Sequence, residues 1–232
     1  MKYLSGAKAR FVAVVAVLCC CTAASAQWRL GITGGIDWNY RHMETSYQYA
    51  QERNPRVGTA FGLMAQYDFR DWVGIRCDYQ MAYRNYRDDY TLTGEYYDYK
   101  NIYHLLPITV SFSFGGEYVR GFANIGGYVG HWTAMTCTYK EYNISKGQLS
   151  AENTIVNDFD KQRDRRIDAG LTAMLGVGYS CSELGLFVNL ETVLYYGLVN
   201  NHKTGSEYIS QPAYDTTPVI QIAIGYVFPK YK

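Results

Sequence analysis

The 232-residue chain is poor in the residues on which most enzymes and metal sites depend. It contains only four histidines, and half of its six cysteines lie within the first 26 residues. The three cysteines further on, Cys77, Cys137 and Cys181, are an odd number, which argues against a disulfide framework in an exported chain. One bridge among them is conceivable, but no pairing is indicated. No Cys/His cluster has metal-ligand spacing, so the sequence predicts no metal and no cofactor.

An excess of charge of one sign is also absent. The chain has 22 Lys+Arg and 21 Asp+Glu, and nothing in this balance suggests nucleic acid as a partner. Beyond the N-terminus there is no run of about 20 apolar residues, which excludes a membrane-spanning helix from that part of the sequence. If the mature chain meets a membrane, it does so with strands.

The N-terminus has the three parts of a secretory signal peptide. Three basic residues precede the apolar run 11–18, and small residues lead up to Ala26. We expect cleavage after Ala26, export through the general secretory pathway and one domain over residues 27–232. Lipidation is disfavoured, because Leu18 rather than a small residue precedes Cys19.

The mature sequence alternates between apolar and polar residues over long segments. In the first segment, Trp28, Leu30 and Ile32 lie on one face, and Thr33 and Asp37 lie on the other. A period of two predicts β-strands with one apolar face and one polar face. Eight segments show it, at about 28–40, 57–69, 73–84, 102–114, 119–129, 167–179, 184–196 and 220–228.

The connections between these segments alternate in length. Those after the second, fourth and sixth segments are short turns, and the others are long loops, at about 41–56, 86–100, 138–165 and 198–216. This alternation predicts an all-β fold, an eight-stranded antiparallel up-and-down transmembrane β-barrel. We therefore expect the protein in the outer membrane of a Gram-negative bacterium, with short turns facing the periplasm.

A lipocalin-like soluble binder also has eight strands, but its apolar residues face inward. The composition of the two faces favours the membrane protein. The apolar face carries bulky aliphatic residues in mid-strand and Trp or Tyr toward the ends, as two interfacial girdles require. The polar face combines charged residues with many glycines, which would cover a soluble surface poorly.

The polar face predicts a network of charged side chains in the lumen. An eight-stranded interior is just wide enough for side chains to fill it. Balanced buried charges are expected to pair, because an unpaired buried charge is costly. We therefore expect a plugged lumen, with a narrow porin-like channel for small solutes as the alternative. The predicted lumen network consists of Asp68, Arg76, Asp78, Arg84, Arg120, Asp168 and Glu191.

Two residues of the fourth segment depart from the pattern. Pro107 would remove a hydrogen-bond donor from the middle of a strand, and we expect a local bulge near it. His104 falls on the lipid side by strict alternation. A bulge or a position near the outer interface would account for it.

The long loops are rich in tyrosine, which offers a large ring with a polar tip for contacts. We expect them to meet outer-membrane lipid and lipopolysaccharide, or to bind an envelope protein or a surface glycan. Catalysis is not expected, because no nucleophile motif accompanies the few histidines. A lipid-modifying barrel enzyme that uses His131 is the alternative. The candidate loop contact residues are Tyr47, Tyr49, Tyr90, Tyr96, Tyr97 and Tyr99.

Five short motifs follow one another along the mature chain: YHLLPITV (103–110), IDAGL (167–171), GVGY (176–179), YYGLVN (195–200) and IGYVF (224–228). In this order they resemble the PorT-like outer-membrane β-barrel family of Bacteroidota. The resemblance covers essentially the whole mature chain and implies an eight-stranded outer-membrane barrel in which Pro107 is a family feature. It implies little about activity. A structural, envelope-assembly or surface-binding barrel without catalysis is the function we expect.

Overall fold

Eight long antiparallel strands close into a ring. The structure, a computed structural model, describes residues 27–43, 51–157, 159, 164–181, 183–201 and 213–229. Each long strand pairs with its neighbours in the chain, and β1 pairs with β8, which closes the barrel. The predicted fold class is therefore confirmed, whereas the predicted signal peptide lies outside the described residues. The long strands are β1 (Gln27–Trp38), β2 (Val57–Arg70), β3 (Val73–Tyr83), β4 (Tyr96–Gly115), β5 (Val119–Lys140), β6 (Ile167–Cys181), β7 (Leu186–Gly197) and β8 (Ala213–Val227).

The outer surface of the barrel is aliphatic and the interior holds most of the charged side chains. Ile32, Ile125 and Leu175 are each more than 60% exposed, whereas Arg76 and Asp78 are at most 1% exposed. Apolar side chains on the outside suit lipid and not water. The lipocalin-like alternative, with apolar residues facing inward, is therefore wrong.

The register of the paired strands is unbroken past Pro107. On the β3 side, Cys77 pairs with Ile108 and Gln80 pairs with Leu105, without a shift in register between them. The only irregularity that β4 shows in its described pairings lies against β5, between Ile102 and Tyr103. The predicted bulge at Pro107 is wrong. Instead, the inward-facing Pro107 lies where two ladder pairs with β3 are missing.

The long connections contain more strand than the sequence suggested. Residues 86–100 consist of the strand Tyr86–Tyr90, a turn at 91–95 and the start of β4, with which that strand pairs. We use the term extracellular sheet for Gln51–Pro55, Tyr86–Tyr90, the parts of β4 and β5 at 96–101 and 134–140, and Asn153–Val156, which pair in that order. Tyrosine and charged residues occupy both faces of these strands, so no apolar period of two marks them.

Three further short strands complete the described elements. Tyr40–Met43 continues the line of β1 and pairs with the start of β8. Tyr142–Asn143 and Gln148–Leu149 form a small hairpin beyond β5. The first of these extensions carries polar side chains of the lumen further outward.

Candidate functional site

The centre of the lumen is bridged by an arginine and two carboxylates. Arg76 on β3 donates to both oxygens of Glu191 on β7, with Nη1–Oε1 at 2.7 Å and Nη2–Oε2 at 3.0 Å. Its Nε lies 3.0 Å from both oxygens of Asp78. Since β3 and β7 are opposite each other in an eight-stranded ring, this bidentate pair spans the whole lumen. All three side chains are fully buried.

Neutral side chains extend this central layer. Glu191 also accepts hydrogen bonds from Asn189 at 3.1 Å and from Gln221 at 2.7 Å. Gln80 donates to Gln221 at 3.0 Å, and the Tyr195 hydroxyl donates to Gln80 at 2.8 Å. The buried carboxylate is thus surrounded by donors, as a buried charge requires.

A second ion pair lies further toward the extracellular side. Arg84 Nη1 donates to Asp168 Oδ2 at 2.8 Å, and the Tyr128 hydroxyl donates to the same oxygen at 3.0 Å. The Arg84 guanidinium also lies over the rings of Tyr103, Tyr128 and Tyr195, at 5.0 to 5.6 Å from their centroids. Aromatic faces attract a cation in this geometry, so the tyrosines compensate for part of its lost hydration.

A third pair, which the sequence analysis missed, lies near the outer end of the lumen. Arg41 forms a bidentate pair with Asp215 at 2.8 and 2.9 Å, and donates to the hydroxyls of Tyr86 and Tyr103. Both charged side chains are almost fully buried. Arg41 and Asp215 fall within the predicted loops 41–56 and 198–216. The signal that could have found Arg41 is the polar parity of the first strand, because Asp37, Asn39 and Arg41 continue its inward face.

The periplasmic end of the lumen is closed partly by apolar side chains. Phe187, Met64 and Ala223 form a buried cluster there. The Phe187 ring occupies the space beside Gly225, where an added Cβ would lie 2.7 Å from it. Glycine on the inward face therefore makes room for a large neighbour, and the interior is not uniformly polar.

Two of the predicted lumen residues lie toward the periplasmic end. Asp68 accepts hydrogen bonds from Arg29 at 2.8 Å and from Gln66 at 2.7 Å. Arg120 lies at the periplasmic mouth and donates to the backbone carbonyl of Asp71. Among the described residues it forms no ion pair with a lumen carboxylate, so its place in the lumen network stays a prediction.

Some buried polar atoms have no protein partner among the described residues. Both carboxylate oxygens of Asp37 are in this state, as are Nε and Nη2 of Arg84 and Oδ1 of Asp168. Buried polar atoms of this kind are usually satisfied by ordered water. The outer half of the lumen is therefore less completely bonded than the layer around Arg76.

The extracellular sheet carries tyrosines on both faces. On one face, the rings of Tyr97 and Tyr139 stack with their centroids 5.6 Å apart, and Tyr90 meets Tyr97 edge to face at 5.9 Å. The Tyr97 hydroxyl donates to Glu141 at 3.2 Å. Burial, with the nearby Glu141 carboxylate, raises the pKa of Tyr97 well above its usual range, so its hydroxyl stays a donor.

The predicted contact residues do not form one surface. Tyr96 lies on the opposite face from Tyr97, since successive side chains of a strand alternate. There its hydroxyl donates to Glu152, and the Arg87 guanidinium lies 4.1 Å from its ring centroid. Tyr99 packs inward against Tyr86 at 4.7 Å. Tyr47 and Tyr49 lie outside the described residues.

Neither a metal cluster nor a long apolar helix is found in the described part of the chain. No three His, Cys, Asp or Glu side chains are grouped so that they could hold a metal ion. No helix there is long and apolar enough to cross a membrane. The three described cysteines are free.

The closed ring of eight strands, with its aliphatic outside and charged interior, defines the class of protein as an outer-membrane β-barrel. The family described as outer membrane protein beta-barrel domain matches residues 12–228. The chain belongs to this family, and the predicted location in the outer membrane of a Gram-negative bacterium is confirmed.

Solved outer-membrane proteins are similar in fold. OprG from Pseudomonas aeruginosa is 15% identical, covers 89% of this chain and 96% of its own, and gives a TM-score of 0.51. Neisserial surface protein A is 10% identical, with coverage of 87% and 99% and a TM-score of 0.46. Ail of Yersinia pestis is 13% identical, with coverage of 87% and 99% and a TM-score of 0.42. No curated protein sequence matches the chain. At such low identity the likeness to OprG supports the fold alone.

Proposed function

We propose that the protein is a non-catalytic outer-membrane barrel whose lumen is plugged by its own side chains and does not conduct solutes. The observation that carries the proposal is the bidentate pair of Arg76 with Glu191, which joins opposite walls of the barrel. A solute that passed would have to break this buried pair, and removing one partner of such a pair costs about 3–5 kcal/mol.

The layers on either side of Arg76 support the same proposal. Toward the outside, Arg41 and Asp215 are joined across the upper lumen, with tyrosine hydroxyls as further partners. Toward the periplasm, the ring of Phe187 is 1% exposed. A path for a solute would therefore have to open at three levels in succession.

Uptake of small solutes by proteoliposomes tests the plug. Vesicles that contain the wild-type barrel are expected to swell in a pentose solution no faster than vesicles without protein. A variant with Arg76→Ala, Asp78→Ala and Glu191→Ala empties the central layer and is the positive control for a widened lumen. Rapid swelling with the wild type would contradict the proposal.

A narrow channel is the second candidate function. The unpartnered atoms of Asp37 and Arg84 favour it, because polar groups without a protein partner in the outer half of the lumen could bind water or a passing solute. In that case swelling would be seen for the smallest solutes with the wild type. Asp37→Asn would then change the preference between cations and anions.

We further propose that the extracellular sheet is the working surface of the protein. Its partners would be outer-membrane lipid and lipopolysaccharide, and an envelope protein or surface glycan, but not nucleic acid. The partly exposed rings of Tyr90, Tyr97 and Tyr139 supply rigid apolar faces with polar tips, which suit contacts with sugars and proteins. We propose the same surface for a structural or envelope-assembly role of the protein.

Binding of labelled cell-surface glycans to purified barrels tests this surface. We expect Tyr90→Ser with Tyr97→Ser to reduce binding about tenfold or more. Tyr96→Ser, on the opposite face of the sheet, is the matched control and should retain binding. Equal binding by both variants would contradict the assignment of the face.

The closer kinship that we propose is with the PorT-like proteins of Bacteroidota. It rests on the order of the strand motifs, including the YHLLPITV segment (103–110) around Pro107. The absence of catalysis is likewise part of the proposal. A lipid-modifying activity that is lost in His131→Ala would contradict it.

A further inference from the structure

Two histidines stand side by side on the lipid-facing side of the barrel. His104 on β4 and His131 on β5 are direct partners in the register of the two strands. Both point outward, since the inward positions beside them are buried, and His131 is exposed. Residues directly opposite each other in an antiparallel pair have Cβ atoms about 5 Å apart. The two imidazoles can therefore contact one ligand together.

A tyrosine from the next strand fixes the orientation of one ring. Tyr79 on β3 stacks on His104 with the ring centroids 5.7 Å apart and an interplanar angle of 21°. The Tyr79 hydroxyl lies 2.7 Å from Nδ1 of His104. When the phenol donates to Nδ1, the neutral ring carries its proton on Nε2. His104 then presents an N–H donor on the side away from Tyr79.

The pair lies at the outer end of the membrane-spanning part of the wall. Below His104, the outward side chains of β4 are Leu106, Ile108, Val110 and further apolar residues. The segment 104–114 has about the 9–11 residues that a strand needs to cross a bilayer. Because long connections face outward, the histidines lie at the level of the outer-leaflet headgroups.

We propose that His104, His131 and Tyr79 form a binding site for a phosphate group of a lipopolysaccharide molecule in the outer leaflet. Phosphate oxygens accept hydrogen bonds from imidazole N–H groups, and such bonds to an anion are the strong ones. The acyl chains of the same lipid would lie against the aliphatic wall below.

The surroundings of the pair favour an anion. The outward neighbours on the adjoining strands carry no charge, so no carboxylate competes for the imidazoles. The next charged side chain further out along this face of β4 is the exposed Lys100, which is basic. The neutral outward neighbours are Met81, Ile102, Leu106, Val129 and Ile167.

This site is where we propose that the protein contacts lipopolysaccharide, so the inference rests on that part of the proposed function. It does not depend on whether the lumen is plugged. Conductance or swelling tests the plug, and lipid retention tests this site, so the two failures are distinguishable.

Native mass spectrometry of the detergent-solubilised barrel with added lipid A tests the site. We expect the wild type to retain lipid A with both phosphates about tenfold better than dephosphorylated lipid A. In the double variant His104→Leu with His131→Leu this preference should disappear. Leucine suits the lipid-facing wall, and the heat-dependent gel shift of a closed barrel confirms that the variant has folded.

Two further variants separate a binding role from a general effect on the wall. Tyr79→Phe keeps both imidazoles but removes the bond to Nδ1, so the preference should fall by less than in the double variant. Tyr196→Phe, which changes an exposed outward tyrosine on β7, should leave the preference unchanged.

Four results would overturn the proposal. The first is equal retention of the two lipids by the wild type, and the second is a preference that survives in the double variant. The third is displacement of lipid A by an equal concentration of inorganic phosphate, which would show a site for the free anion and not for the lipid. A preference that appears only with added Zn²⁺ would assign the histidines to a metal and would also overturn it.

Discussion

The arginine–aspartate pairs at the centre of the lumen and on the extracellular sheet have the same chemistry and different surroundings. Arg76 and Asp78 are wholly removed from solvent, whereas the side chains of Arg53 and Asp88 on the extracellular sheet are 17% and 9% exposed. Solvent reaches part of the second pair and can replace a lost partner there, so that pair should contribute less to stability than the first. The first pair is out of reach of solvent, so no water can replace a lost partner. The difference shows that position along the barrel, more than residue type, decides what an ion pair contributes.

Removal of the central cation should cost more stability than any other change to these pairs. Arg76→Met leaves Asp78 and Glu191 facing each other without a positive partner. We expect the free energy of unfolding to fall by about 3–5 kcal/mol. Urea unfolding in detergent micelles, followed by tryptophan fluorescence, measures it.

The matched control for Arg76→Met removes the whole charge set. Arg76→Met combined with Asp78→Asn and Glu191→Gln leaves no buried charge in the layer. It should recover most of the lost stability, since replacing all charges costs less than stranding one. If the single and triple variants were equally unstable, packing and not charge would explain the loss.

A smaller effect is expected from the hydroxyl of Tyr195. Tyr195→Phe removes the donor to Gln80 and leaves a buried acceptor unsatisfied. The expected cost is about 1–2 kcal/mol in the same urea experiment. Its neighbour Tyr196 points outward and is 53% exposed, so Tyr196→Phe should change stability by less than about 0.5 kcal/mol. Equal losses in both variants would count against the inward role of Tyr195.

The ion pair of Arg53 with Asp88 on the extracellular sheet should show the smallest change in stability. In Asp88→Asn the Nη2 of Arg53 loses a carboxylate partner that lies 2.7 Å away. We expect a loss of about 1 kcal/mol in the urea experiment and an unchanged gel shift, because the asparagine oxygen can still accept from Arg53 and solvent reaches part of the pair. A loss as large as that of Arg76→Met would remove the contrast between the two regions.

The reactivity of Cys137 measures how far solvent reaches the inner face of the extracellular sheet. Burial raises the pKa of the Cys137 thiol to about 11. The thiolate is the reactive form, so alkylation at pH 8 should be slow and should accelerate as the pH approaches 11. Mass spectrometry after timed iodoacetamide treatment, with Cys137→Ser as the control, measures the rate. Rapid modification at pH 8 would show that the inner face of the sheet is open to solvent.

The barrel itself could be predicted from the sequence because a closed membrane barrel imposes a strict period of two. Aliphatic residues recur at alternate positions of β1, β4 and β7, apart from Gly34, His104 and Thr192 on the outward face. The lengths of the connections predicted which ends of the strands carry the short turns. The charged lumen residues Arg76, Asp78 and Glu191 could be found from the same parity. Their pairing across the ring could not, because it depends on how the closed ring brings opposite strands into register.

The extracellular part was predicted less well, for a different physical reason. Outside the membrane no lipid selects an apolar face. The two faces of the strand Tyr86–Tyr90 therefore do not differ in polarity, and no apolar period of two marks this strand. Arg41 and Asp215 were missed because the strands continue past the apolar band. The position of Arg120 beside a turn likewise required the three-dimensional structure.

Recording from planar lipid bilayers distinguishes a plugged lumen from a conducting one. With purified wild-type barrel in about 1 M KCl, the plugged lumen predicts no steady conductance step, whereas the variant with Arg76, Asp78 and Glu191 all changed to alanine should show steps. A steady conductance step with the wild type, absent when the protein is left out, would contradict a plugged lumen and establish a channel.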